Sequence, residues 1–179
     1  LEGRFHVVRD LAPELLDAAA EKLGDGGRYG EVPRLCTYFA LCNNRRGPLA
    51  DLELRRRLFA AIPVDELVQT HLRRLAAPAR RLIPPGLLGH DPLRPRVPAT
   101  SSAVPGVELR VMLHDAFRQR HGRLVEELLT RWRQAGFQLR IVEGGYEKSE
   151  RGWAAEHVDL VVSRWFGDYA DPDTFIHGM

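Results

Sequence analysis

The segment Trp165-Phe166-Gly167-Asp168-Tyr169-Ala170-Asp171-Pro172-Asp173 brings an indole and three carboxylates together within nine positions. It follows Val158-Asp159-Leu160-Val161-Val162, a short apolar run that reads as a buried strand, so these groups emerge where a strand ends. In open α/β sheets the carboxyl end of a strand is where ligands bind. The chemistry on offer is recognition: an apolar ring as a wall, and acceptors for charge-assisted hydrogen bonds. Trp165 and Trp153 either line one cleft or pack in the core, where indoles are usually largely buried. Arg164 either pairs with a ligand carboxylate or, by alternation with Trp165, points to solvent. Asp171-Pro172-Asp173-Thr174-Phe175 reads as a helix start, with Asp171 as N-cap, Pro172 at the first position and Asp173 at the positive end of the dipole.

Other chemistries lack their patterns. His6, His71, His90, His114, His121, His157 and His177 are scattered, without the i, i+4 spacing beside a carboxylate that a zinc-binding helix uses, and most read as surface residues. No glycine-rich phosphate loop, G-x-S-x-G elbow or pair of catalytic carboxylates occurs, so neither an enzyme nor a metal or cofactor is expected. Cys36 and Cys42 fall in one apparent strand, on one face but about 20 Å apart, too far for a disulfide. They read as small buried apolar residues.

The elements that must position the closing segment follow from pattern. Phe5-His6-Val7-Val8 reads as a short strand and residues 12–23 as an amphipathic helix, a βα unit at the start. Residues 32–42 are apolar on both alternating faces, which predicts a central, well-buried strand. Helices are expected at 49–62, closed by Pro63, and at 64–75, with Asp65 and Glu66 in the first turn and Arg73 and Arg74 in the last. Seven prolines between Pro78 and Pro105 make a connector without regular structure. Beyond it, a strand at 107–113, a helix at 124–135 closed by Gly136 and a strand at 137–142 form a βαβ unit. The sum is an α/β domain with a mixed sheet flanked by helices.

Composition narrows the partners. The 179 residues, 44% hydrophobic, are enough for one ordinary core. A formal charge of +2, from 26 basic against 24 acidic residues interspersed along the chain, argues for a solvated surface and against nucleic acid. Arg55, Arg56 and Arg57 sweep round a helix instead of forming one face, which weakens a DNA-binding reading. No run approaches a membrane span, and no signal peptide pattern opens the chain.

Three segments, in order, resemble the extracytoplasmic solute-binding proteins of the peptide and nickel ABC-importer type. Thr37-Tyr38-Phe39-Ala40-Leu41-Cys42-Asn43 followed by Gly47-Pro48-Leu49-Ala50-Asp51-Leu52 is similar to the family's strand ending in Asn and its turn into a helix. Pro78-Ala79, Ile83-Pro84-Pro85-Gly86 and Gly89 resemble its loop after the helical pair, and residues 124–142 its helix and strand. The closing segment carries the family's W-x-x-D-Y-x-D-P spacing. The chain departs from the pattern at Pro63-Val64, where an Asp-Arg pair is usual, and at Cys42, where a small or aromatic residue is commoner.

The resemblance implies a two-lobed fold closing on its ligand, residues 1–179 being a single α/β lobe with the connector at about 78–105, part of the later lobe of a longer protein. It implies that Asp168 pairs with the free α-amino group of a peptide, against the alternative of a turn-capping or solvated carboxylate. It also sets Tyr146, after Gly144-Gly145, as an aromatic facing the ligand, in the cleft that Trp165, Trp153 and Arg164 would line on the first of the two readings given for each. The implied function is capture of a peptide or similar small solute for an ABC permease, in a periplasmic or other extracytoplasmic place. The alternative is a ligand-sensing domain fused to a DNA-binding or kinase region, which would be cytoplasmic. A lone lobe would leave its cleft face open, which favours self-association.

Overall fold

The computed structural model describes residues 7–9, 11–23, 27–79, 81–91, 106–142 and 158–177, with Ala116 known by its backbone alone. A 3-10 turn at Pro13–Leu15 leads into helix α1 (Leu16–Glu21). Strand β1 (Cys36–Cys42) is followed by helix α2 (Leu52–Ala60) and helix α3 (Val64–His71). Strand β2 (Val107–Leu113), helices α4 (Asp115–Arg120) and α5 (Gly122–Gln134), strand β3 (Phe137–Val142), strand β4 (Leu160–Phe166) and helix α6 (Asp173–Ile176) complete the described chain.

The strands form one mixed sheet in the order β1-β4-β2-β3, with β1 antiparallel to β4 and both β4 and β3 parallel to β2. The β2-α5-β3 unit is the right place for a crossover helix, since parallel neighbours cannot be joined by a tight turn. Side chains alternate across this sheet. One face, with Ala40, Cys42, Leu109, Val111, Leu113, Leu160 and Val162, joins Leu58, Leu67, Val125, Leu129 and Trp132 of the helices in the main core. Trp132 is fully buried and its indole donates to the Leu58 carbonyl at 2.9 Å, locking α5 onto α2. The other face carries a smaller cluster, Met112, Val158 and Val161.

Local chemistry explains the helix limits. Asp51 caps α2, accepting from the backbone N–H of Glu53 at 2.7 Å and Leu54 at 3.4 Å. Arg55 turns back to donate to the carbonyls of Leu49 (2.6 Å) and Ala50 (2.9 Å) just before the helix, and Arg56 pairs with Glu53 within it, so two of the three consecutive arginines are spent on their own neighbourhood. The expected helix at 49–62 therefore starts at Leu52, after a 3-10 turn at Pro48–Ala50. That at 64–75 ends its α-helical part at His71, and its last turn is the 3-10 turn Arg73–Leu75, where Arg73 takes φ 50°.

Four expectations are corrected. Val7 and Val8 lie in no strand and are 74% and 45% exposed, so the opening βα unit does not form there; Phe5 and His6 lie outside the described residues. The strand expected at 32–42 begins at Cys36, because Val32 is 84% exposed and Pro33 has no N–H to give a ladder. It is an edge strand of the described sheet and only Thr37 in it is buried; its second apolar face served partly to meet the 81–83 segment, where the Thr37 hydroxyl donates to the Leu82 carbonyl at 3.3 Å. Strand β4 is better buried, and it runs to Phe166 instead of ending at Val162 because β1 pairs with it along its whole length, from Cys42 opposite Leu160 to Cys36 opposite Phe166. Helix α4 has no counterpart in the sequence pattern, and the connector falls partly outside the described residues, with neither helix nor strand at 76–79 and 81–91.

Candidate ligand-binding edge

Because β2, β3 and β4 are mutually parallel, their carboxyl ends lie at one edge, and the chain leaving β4 emerges there. Gly167 is the first residue out. Its N–H donates to the Leu35 carbonyl at 2.8 Å, and a Cβ there would sit 3.0 Å from the Phe175 ring and 3.1 Å from Thr174 Cγ2. Phe175 is fully buried and Thr174 nearly so, so α6 folds back under the turn and leaves no room for a side chain. Asp168 follows with its backbone N–H donating to Thr174 Oγ1 at 3.2 Å. Its carboxylate is exposed and has no ion pair or hydrogen bond among the described residues.

The neighbouring acids are occupied. Asp171 accepts from the Asp173 N–H at 2.8 Å, the capping contact expected of it, although the regular helix begins at Asp173. Asp173 accepts from the Tyr169 hydroxyl at 3.1 Å, and this bond, ahead of burial and the surrounding acids, pushes the Tyr169 phenol above its ordinary value. All three of the motif's acids are exposed, and Asp168 is the one whose carboxylate has no hydrogen bond or ion pair among the described residues.

Trp165 and Arg164 are adjacent in β4 and project to opposite faces of the sheet. Trp165 lies half-buried on the face of Thr37 and Ser163, and its buried Nε1 has no hydrogen-bond partner among the described residues. Arg164 lies opposite Tyr38 on the helix-covered face, with its guanidinium 4.7 Å from the centroid of the Phe166 ring; Arg34 approaches the same ring at 6.0 Å. Tyr146 and Trp153 lie outside the described residues.

Two features escaped the sequence reading. Asp159, within the apolar run 158–162, is 2% exposed and just precedes β4. It accepts from Arg110 through the backbone N–H (2.8 Å), Nε (3.0 Å) and Nη2 (3.0 Å), a bidentate pair that holds the guanidinium pKa above its usual value. A carboxylate inside a run of β-branched residues was the signal, since a buried charge must be paired. His121, grouped with the surface histidines, is 8% exposed, and its Nε2 lies 3.0 Å from the Tyr38 hydroxyl. Burial, then the positive charges of Arg120 and Arg164, pull its pKa down to about 4.

The cysteines are both free, and burial pushes the Cys42 thiol up to about 11, far from a reactive thiolate. Among the described residues no group of three or more His, Cys, Asp or Glu is placed to hold a metal, and no helix is long and apolar enough to cross a membrane.

The chain is 26% identical to the dipeptide-binding protein of Escherichia coli (strain K12), an alignment covering 91% of this chain and 33% of that protein. Among solved structures it is similar to the dipeptide-binding protein of a Pseudoalteromonas species in complex with Met-Leu, with TM-score 0.73, 19% identity and coverage of 92% of this chain and 34% of that one. It is also similar to the Escherichia coli murein tripeptide-binding protein MppA, with TM-score 0.72, 17% identity and coverage of 94% and 36%. NikA of Brucella suis in complex with Fe(III)-EDTA gives TM-score 0.69 at 16% identity, over 93% of this chain and 37% of that one. The chain thus spans about a third of the length of the relatives it matches. The model of the bacterial extracellular solute-binding proteins, family 5 Middle, matches residues 2–179, and the chain belongs to that family.

Proposed function

We propose that residues 1–179 form one α/β lobe of a solute-binding protein that captures a peptide or a similar small solute outside the cytoplasm and presents it to an ABC permease. The observation that carries this reading is Asp168: an exposed carboxylate, fixed by its own backbone to α6, at the edge where three parallel strands end. A carboxylate so held suits an ammonium group, and the bond strengthens when a second lobe closes and excludes water. Trp165 is the wall of the same edge, and a ligand acceptor that reached its Nε1 would satisfy a buried donor that has no partner among the described residues. Tyr146 and Trp153 are assigned as further aromatic walls. Arg164 is assigned to a ligand carboxylate lying across the strand end beside Phe166, since the sheet itself separates it from Trp165.

A lone lobe would expose this edge, and self-association of the lobe by itself belongs to the same reading. No observation favours the sensor alternative over the importer. The test is calorimetric titration of short peptides into the full-length protein, with and without Asp168→Ala. Loss of affinity in the variant supports the assignment, and unchanged affinity removes it.

A further inference from the structure

His121 sits at a knuckle. It separates α4 from α5, is the N-cap residue of α5 at φ −127° and ψ 39°, donates its backbone N–H to the Phe117 carbonyl and accepts from the Val125 N–H, both at 2.9 Å. Its ring is wedged against Tyr38 and Phe117, with centroids 5.1 and 5.3 Å away, and Tyr38 and Phe117 close the triangle at 5.1 Å. The hydroxyl of Tyr38 in β1 meets its Nε2 at 3.0 Å. Six residues of α4 are thereby held on the sheet by two side chains, Phe117 and His121, which are 3% and 8% exposed.

Burial and the nearest charges both disfavour a proton on this ring. Arg120 precedes it on its own knuckle, and Arg164 reaches it from β4. The positive end of α5 begins at the next residue. From β1, Tyr38 faces it with a phenol pKa pushed up by burial, so it brings no negative charge in acid; Glu14 of the first 3-10 turn opposes the arginines and acts more weakly than they do. Helix α4 starts two residues after β2 ends, and the His114 N–H in between donates to the Val162 carbonyl of β4 at 3.0 Å. The knuckle is therefore tied to the edge where Asp168 emerges.

We propose that His121 is a proton-operated latch: uncharged, it holds the α4–α5 knuckle against β1 and β4, and on protonation in acid it lets α4 leave the sheet beside the ligand edge. The consequence for capture, weaker ligand holding in an acidic surrounding, rests on the solute-binding reading. The latch itself does not.

The test uses the full-length protein without ligand. The His121 ring resonance is followed by NMR from pH 7 to pH 3.5, together with amide-exchange protection factors along the chain. His121 is expected to titrate near 4, while protection of α4 and the first turn of α5 falls by about tenfold or more below pH 6.5 and that of β2 and β3 holds. His121→Phe, which keeps a ring and removes the proton, is expected to abolish the acid response. Should that variant fail to fold, Arg164→Gln is expected to move the His121 titration upward by removing a neighbouring charge. Titration of His121 at its ordinary value, protection of α4 independent of pH, the same acid response in His121→Phe, or an unmoved titration in Arg164→Gln would each overturn the latch. None of these readouts involves a peptide, so they fail or succeed separately from the capture reading.

Discussion

Strand β4 has a carboxylate at each end, and the two are opposites. Asp159, before the strand, is buried and holds three donors of Arg110. Asp168, beyond its far end, is exposed, and among the described residues its carboxylate holds nothing. The first is a charge whose desolvation is offset by geometry, and it ties β4 to β2 at the end of the sheet away from the ligand edge. The second is a charge that the fold positions without consuming. On the proposed reading of Asp168, stability and recognition are separated along one strand, and substitutions at its two ends are expected to report on different properties.

Asp159→Ala should give the largest loss of stability, about 3 to 5 kcal/mol by urea denaturation, because it strands the Arg110 N–H and guanidinium together. The lower end of that range is expected, since the Arg110 side chain is 32% exposed and its guanidinium can reach water. Gly47→Ala attacks the same site from outside. Gly47 has φ 72° and ψ −171°, a conformation nearly confined to glycine, and an added Cβ would lie 2.5 Å from Asp159 Oδ1. A cost of about 2 to 3 kcal/mol is expected in the same assay, and a loss below about 0.5 kcal/mol would show that the pair tolerates displacement.

Acid should act on stability through His121. Its folded pKa lies near 4, below the 6.5 of an unfolded histidine, so the unfolded chain binds the extra proton between these values. The stabilisation is full above pH 6.5 and is lost as pH falls through 4, by about 2 to 3 kcal/mol. Denaturation midpoints of His121→Phe and the parent, compared across that window, should converge as pH falls; a constant difference would contradict the sign. Asp168→Ala is expected to change stability least, within about 0.5 kcal/mol, because its carboxylate makes no described contact that folding needs.

The pattern of the sequence carried most of the architecture. Strands β2 and β3 and the core helices were legible because their apolar periods match their faces, and the Gly136 turn marks where α5 stops. Long-range pairing was not legible. Apolar residues on both faces of β1 looked like a central strand, yet one of those faces meets a loop, and whether a strand lies at an edge depends on partners far away in sequence. The true end of β4 was hidden for the same reason: Ser163 and Arg164 break the apolar run, and only pairing with Tyr38 and Phe39 keeps the backbone extended. At the site, the position of Asp168 past a strand end was readable. The burial of His121 was not, since nothing near it in sequence announces Tyr38.

The most direct measurement combines ligand and protein substitution at the ligand edge. The tightest member of a panel of free short peptides, Met-Leu included, and its N-acetylated form are titrated calorimetrically into full-length parent and Asp168→Ala. Asp168→Ala and N-acetylation should each weaken binding by about 2 to 5 kcal/mol, and together by little more than either alone, because both remove the same amine–carboxylate pair. Equal affinity of the free and acetylated peptides for the parent, unchanged by Asp168→Ala, would contradict the account.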